Sequence, residues 1–221
     1  MFKFFLFAYF FLSGFFINAQ YSLNGGLSTL NAFGQKSYMG FHLGGEFPKS
    51  NDLSMYLRAS FYGKREADPF TQGSYFIQLD NINPLDAVTF VKATSTFNYT
   101  TFDGGMRYYI LDGYDDGFAL YGGTNVMGAI NSAKFKLDSF DDTKYRVPGT
   151  TSLSGTILNV GVGLSGGAKY TFPGIGSIYF DSTVDYLIIS KASNSTAQNI
   201  GGQFFSSILF SFNIGFRRDF Y

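Results

Sequence analysis

The chain has 221 residues, with 16 Lys plus Arg and 16 Asp plus Glu, so its formal net charge is zero. This balance gives no positive field to attract nucleic acid, and the absence of cysteine excludes disulfides, thiolate catalysis and thiolate metal sites. Aromatic residues make up 20% of the chain and charged residues only 14%, whereas roughly a quarter of a soluble domain is charged. Much of the aromatic surface is therefore expected to face something other than water.

The N-terminus, residues 1–20, has the layout of a secretory signal peptide. Lys3 precedes a continuous apolar run, and the small residue Ala19 follows it, which predicts cleavage after Ala19 or Gln20. A retained membrane anchor would need about 20 apolar residues and a flanking stop signal. Residues 21–221 are expected to form one domain.

Apolar residues recur with period two through the mature chain, as they do in strands that have one apolar and one polar face. In the segment LSMYLRASFYG, which starts at Leu53, every second residue from Leu53 to Phe61 is apolar. The predicted strands span 21–30, 37–47, 53–63, 97–111, 118–130, 155–171, 177–189 and 204–219.

The connections between these eight strands are of two kinds. PKSND, DGYDDG and FPGIG are short turns, and they alternate with the long segments 64–96, 131–154 and 190–203, while 31–36 is short. Short periplasmic turns opposite longer extracellular loops are typical of outer-membrane barrels. A soluble barrel also alternates, but its outer face would carry more Lys and Glu. We therefore predict an all-β protein, a closed antiparallel transmembrane β-barrel of about eight strands.

With these strands and turns, residues 21–221 resemble the small eight-stranded outer-membrane proteins of the OmpA, OmpX and OmpW type and the PorT-like barrels. The terminal NIGFRRDFY is similar to the signal read by the barrel-assembly machinery: Asn213, Gly215 and Phe220 match it, whereas Arg218 stands where an apolar residue is usual. The resemblance implies a location in the cell outer membrane, with outer-membrane lipid and the barrel-assembly machinery as partners.

Charged residues on the polar faces are predicted to converge inside the barrel, whose interior is just wide enough to be filled by side chains. Unpaired charges would be costly there, so we expect an ion-pair network in the periplasmic half of the lumen. Its predicted members are Glu46, Arg58, Asp103, Arg107, Asp181, Asp185 and Arg217. The alternative is a gate whose pairs open for a small solute.

His42 is the single histidine, and its strand parity places it inward, beside Glu46. A lipid-modifying hydrolase would instead need a His, a Ser and a carboxylate at a lipid-accessible surface. With no second His and no Cys, a metal site is not expected. We predict no catalytic residues and no cofactor.

Gly161, Gly163 and Gly166 form the G-x-G-x-x-G pattern of a dinucleotide-binding loop, and the acidic Asp185 follows at about the expected spacing. The fingerprint requires a helix after a strand, but the chain continues as strand into a turn at Pro173. We therefore predict packing: Gly161 and Gly163 face the lumen and leave room for larger groups such as Tyr121, Arg107 or Arg217, and Gly166 faces lipid.

The outer loops are the remaining candidates for function. Segment 64–96 is unusually long unless it binds something, and its PLDAVTFV stretch allows a short helix. The favoured hypothesis is a non-enzymatic barrel, a structural or interaction subunit of the outer membrane whose loops bind a partner in an envelope complex. A small-solute channel of the OmpW type is the alternative, and a lipid-modifying enzyme the third hypothesis.

Overall fold

The computed structural model describes residues 20–32, 37–66, 75–79, 88–91, 93–110, 117–137, 145–146, 152–193 and 207–220. These residues form the strands β1 (Tyr21–Ala32), β2 (Tyr38–Ser50), β3 (Leu53–Tyr62), β4 (Arg65–Glu66), β5 (Tyr75–Leu79), β6 (Val88–Val91), β7 (Ala93–Tyr109), β8 (Phe118–Leu137), β9 (Tyr145–Arg146), β10 (Ser152–Phe172), β11 (Gly176–Ala192) and β12 (Ile208–Phe220). The predicted signal peptide lies outside the described residues. In the described part of the chain, no helix is long and apolar enough to cross a membrane.

Eight strands close into a barrel in the order β3-β2-β1-β12-β11-β10-β8-β7, and the pairing of β3 with β7 completes the ring. Every neighbouring pair is antiparallel. The fold prediction is confirmed. A closed ring leaves no long sheet edge unpaired, which is the condition for strands to cross hydrocarbon.

The outer face of the barrel is apolar and its inner face is largely polar. Large side chains such as Leu27, Leu57 and Leu164 point outward and are 65%, 63% and 66% exposed. Inward positions of the same sheet hold buried polar side chains, among them Glu46 and Asp181. A soluble barrel would have the opposite arrangement, so the described surface is that of a transmembrane barrel.

Four strands are much longer than a membrane crossing of roughly ten residues. β7, β8, β10 and β11 contain 17, 20, 21 and 17 residues, whereas β3 contains 10. The predicted loop 131–154 therefore begins too early and ends too late. We call the band of exposed apolar side chains around the barrel, which includes Leu27, Leu57 and Leu164, the apolar belt. β7, β8 and β10 extend beyond this belt on the loop side, where they remain paired as far as Ala93 with Leu137 and Ser152 with Lys136.

The predicted loop 64–96 also contains paired strands. β5 pairs with β6 and with β9, which joins the segments from two predicted outer loops in a three-stranded sheet. The short helix allowed at PLDAVTFV is wrong for Val88–Val91, which is strand β6; the preceding residues 84–87 lie outside the described ones. The β-branched and aromatic residues of VTFV suit a strand paired with β5.

The polarity of the two faces reverses along β7. Within the belt, Phe102 and Met106 point outward and Asp103 points inward. Toward the loop end, the buried inward side chains are Phe97 and Tyr99, and the intervening outward residues at 96, 98 and 100 are Thr, Asn and Thr. In a barrel surrounded by water, apolar side chains point inward and polar side chains point outward. This reversal therefore marks the outer edge of the apolar belt.

Candidate functional site: the barrel lumen

The turn-end half of the lumen is built around Arg58 and Asp181. Arg58 lies directly opposite Asp103 on β3 and β7, and its guanidinium donates to both Asp103 carboxylate oxygens, from Nε at 3.1 Å and from Nη2 at 2.9 Å. Its Nη1 donates to Asp181 Oδ1 at 2.8 Å. Because all three side chains are buried, each charge depends on the others for compensation.

Arg107 and Arg217 extend the network to Glu46. Arg107 donates from Nη1 to Glu46 Oε2 at 2.8 Å and from Nη2 to Asp181 Oδ2 at 2.7 Å. Arg217 Nη1 lies 3.6 Å from Glu46 Oε2, and its Nε lies 3.0 Å from Asp219 Oδ1. The structure thus brings six of the seven predicted residues into one connected cluster of buried ion pairs.

Asp185 is the predicted member that lies apart. Among the described residues its contacts are polar but uncharged: Asn125 Nδ2 donates to Oδ1 at 2.5 Å and Thr183 Oγ1 donates to Oδ2 at 3.0 Å. The register pairs Asp185 with Gly163 and Leu209, so neither directly opposite residue offers a positive charge. Asp185 is buried without a described ion pair.

Lys169, Tyr109 and Tyr56 also belong to the network, although they are not among its predicted members. Lys169 is 2% exposed and its Nζ lies 4.5 Å from the centre of the Tyr109 ring. Tyr109 donates to Glu46 Oε1 at 2.5 Å and accepts from Arg217 Nη1 at 3.3 Å. The Arg107 guanidinium lies 4.1 Å from the Tyr56 ring centre, a cation–π distance. Strand parity would have placed Lys169 inward, on the same face as Gly163.

His42 belongs to a buried hydrogen-bond chain. Ser28 Oγ lies 2.7 Å from His42 Nδ1 and donates to Asn213 Oδ1 at 2.5 Å, while Nε2 of His42 bonds to the hydroxyl of Tyr179. Asn213 Nδ2 donates in turn to Asp181 Oδ1 at 2.8 Å. Since Ser28 donates to Asn213, we assign the Nδ1 proton to His42 and the Nε2 hydrogen bond to the Tyr179 hydroxyl as donor. His42 is 1% exposed, far from a lipid-accessible surface.

The loop-end half of the lumen contains a cluster of buried aromatic and aliphatic side chains. Its buried members are Leu30, Tyr38, Tyr62, Phe97, Tyr99, Met127 and Leu209. The rings of Tyr38 and Tyr99 pack edge to face at 4.8 Å. We call this group the apolar plug; it lies above the ion-pair network along the barrel axis.

One small cavity lies within the ion-pair network, between Glu46, Arg107, Lys169, Tyr179 and Arg217. Its volume is about 10 Å³, enough for about one water molecule. Within the described part of the chain, no group of three or more His, Asp or Glu side chains could hold a metal ion.

The residues that match the assembly signal have contacts of their own in β12. Asn213 is 1% exposed and bonds to Asp181. Gly215 faces the lumen, where a Cβ would come within 2.7 Å of the Tyr179 hydroxyl. Phe220 points outward and stacks on Tyr21 at 5.2 Å between ring centroids.

The three glycines of the G-x-G-x-x-G pattern lie on the faces that parity predicts, with Gly161 and Gly163 inward and Gly166 outward. The groups they accommodate differ from the prediction. A Cβ at Gly163 would collide with Val184 O and with the Asp185 carboxylate, and one at Gly161 would meet Leu187. Tyr121 instead packs against Gly167.

No family model matches the chain, and no curated protein matches it. Among solved structures, a major outer membrane protein from Thermus thermophilus is similar with a TM-score of 0.54 at 13% identity, covering 91% of this chain and 99% of that one. Neisserial surface protein A has a TM-score of 0.49 at 10% identity and coverages of 91% and 97%. OprG from Pseudomonas aeruginosa has a TM-score of 0.47 at 16% identity and coverages of 92% and 96%.

At these identities the comparison concerns the fold. Together with the apolar outer face and the polar lumen, it defines the class: a small eight-stranded transmembrane β-barrel of the outer-membrane type.

Proposed function

We propose that the protein is a non-enzymatic barrel of the bacterial outer membrane that conducts no solute and serves as an anchored interaction subunit. The observation that carries the proposal is the filling of the lumen. The ion-pair network around Arg58, Arg107 and Asp181 occupies the turn end, and the apolar plug occupies the loop end. The cavity within the network has room for about one water molecule.

A closed lumen leaves the ends of the barrel as the places for function. β7, β8 and β10 extend past the apolar belt on the loop side, and the sheet of β5, β6 and β9 is formed by segments from two predicted outer loops. Binding surfaces are commonly carried by loops on a rigid scaffold. We propose that this end binds a protein of the cell envelope, and that the barrel-assembly machinery recognises β12 during biogenesis.

The enzymatic alternative would need accessible groups. Ser28 and His42 do lie in contact, but both are 1% exposed and bonded within the lumen. The described side-chain partners of His42 are hydroxyl groups rather than a carboxylate. This arrangement favours a structural role for the pair.

Mild purification from the envelope tests partner binding. The wild-type protein is compared with a variant in which residues 75–91 are replaced by a short Gly-Ser turn, and heat-modifiable gel migration verifies that both barrels fold. The proposal predicts a co-purifying protein with wild type that is lost with the variant. Absence of such a protein from the wild type, or its retention by the folded variant, would contradict the proposal.

A further inference from the structure

A large concavity lies on the outer face of the barrel, not in the lumen. It is a groove of about 710 Å³ across β7, β8, β10, β11 and β12, a volume in the range of small-molecule sites. Outward side chains that line it include Val126, Val162, Leu164 and Val184, and it ends at Gly104 and Ile208. The groove lies within the apolar belt.

The register fixes the length of this groove. Its floor is the backbone of Gly105, Asn125, Gly163 and Asp185, which are directly paired neighbours across four strands. Ile208 on the fifth strand extends the same row, since its neighbour Leu209 pairs with Asp185. Four interstrand spacings give roughly 19 Å, about the length of an extended long-chain acyl group.

The groove is also inclined like an outer-leaflet lipid chain. Ile208 is the first residue of β12 at its loop end, whereas Gly104 lies near Tyr109, the turn end of β7. Strands of such barrels are tilted by about 35–45°, so a row perpendicular to them descends obliquely from the outer edge of the belt toward its middle.

A cation lies above the upper end of the groove. Lys191 is exposed on β11, beyond the groove residue Tyr186 and the outward Ile188. It pairs in register with Leu158, at the outer edge of the belt on β10. A lysine at this level is suited to a phosphate in the headgroup layer.

We propose that this groove binds one acyl chain of a phosphorylated lipid of the outer leaflet, with Lys191 contacting the phosphate. The inference rests on the proposed membrane location but on neither a protein partner nor a closed lumen. Fractionation of cell membranes tests the location separately, whereas lipid binding is measured on the purified barrel.

The test is native mass spectrometry of the delipidated, refolded full-length barrel incubated with lipid A or with its dephosphorylated form. Val162→Trp fills the groove, and Leu27→Trp, an outward position on β1, is the matched control. Lys191→Gln is compared with Lys134→Gln, an exposed lysine on β8. Heat-modifiable migration verifies folding, and Leu164→Trp replaces V162W if that variant does not fold.

We expect one lipid A to bind wild type, L27W and K134Q, and binding to fall by about tenfold or more in V162W, a difference of at least about 1.4 kcal/mol. K191Q should lose affinity for lipid A but bind the dephosphorylated lipid as wild type does. The proposal is overturned if wild type binds no lipid A, or if V162W and L27W bind equally. It is also overturned if wild type is a dimer that V162W dissociates, because the occupant is then a second copy of the chain.

Discussion

Arg58 and Asp103 form a two-bond salt bridge between directly opposite positions on β3 and β7, at 3.1 and 2.9 Å. This contact links β3 and β7 inside the lumen, and the pairing of these two strands completes the ring. Because Arg58 also bonds to Asp181, the same guanidinium connects β3 to the opposite wall. The network therefore ties strands that are distant in sequence, such as β3 and β11.

Removing one partner of this bridge should destabilise the barrel strongly. Asp103→Asn keeps the shape of the side chain but leaves the buried Arg58 with less compensation, and the loss of one partner of a buried pair typically costs about 3–5 kcal/mol. Urea unfolding of the barrel reconstituted in lipid vesicles measures the change.

Asp185→Asn is the matched control. It removes the same charge from a lumen position whose described partners are Asn125 and Thr183, where an ionised carboxylate has no described cation to offset its burial. We expect a change within about 1 kcal/mol or a gain in stability, since no charge pair is broken. Equal losses for D103N and D185N would contradict the assignment of the network.

The glycines of β10 should differ by the face they occupy. Gly163→Leu places a side chain against Val184 O and the Asp185 carboxylate, so assembly should be impaired by an overpacking cost of at least about 1–3 kcal/mol. Gly161→Leu should behave in the same way. The folded fraction is read from heat-modifiable gel migration.

Gly166→Leu provides the control for this series. A Cβ there meets Tyr121 O at 3.7 Å, an ordinary contact, and it points outward. The variant should assemble as wild type does. Normal folding of G161L and G163L would refute their inward packing.

The sequence predicts most of this arrangement because period-two alternation determines which face a residue occupies. Strand parity alone places Arg58, Arg107 and Asp181 in the lumen, and buried charges of both signs in one narrow lumen are expected to pair. Parity could not predict that Asp185 lies apart from the other charges, because the register between neighbouring strands decides which charged side chains meet.

The extensions of β7, β8 and β10 were missed for a different reason. Above the belt, Phe97 and Tyr99 point inward, so the apolar residues change face relative to Phe102 and Met106 without a break in the strand. The residues of β7 that the prediction lacks are 93–96, Ala-Thr-Ser-Thr; they lie beyond this reversal and offer no apolar outer face, so the alternation does not extend over them. The apolar plug was not predicted, because the prediction assigned polar side chains to the whole inner face.

The position of the outer belt edge can be tested with charged substitutions. Leu57→Arg lies within the belt and is 63% exposed in the wild type, and arginine near the bilayer middle costs about 2–4 kcal/mol. Thr156→Arg, exposed on β10 above the belt, should cost about 0–1 kcal/mol. Unfolding in vesicles compares them, and similar costs at both sites would place the edge elsewhere.

We propose that the ion-pair network and the apolar plug together close the lumen. Ion conductance of the purified wild-type barrel in planar lipid bilayers measures this closure, with folding verified by heat-modifiable migration. We predict that folded, inserted protein gives no steady single-channel current. Reproducible steady current through the wild-type barrel would contradict the claim and would favour a small-solute channel.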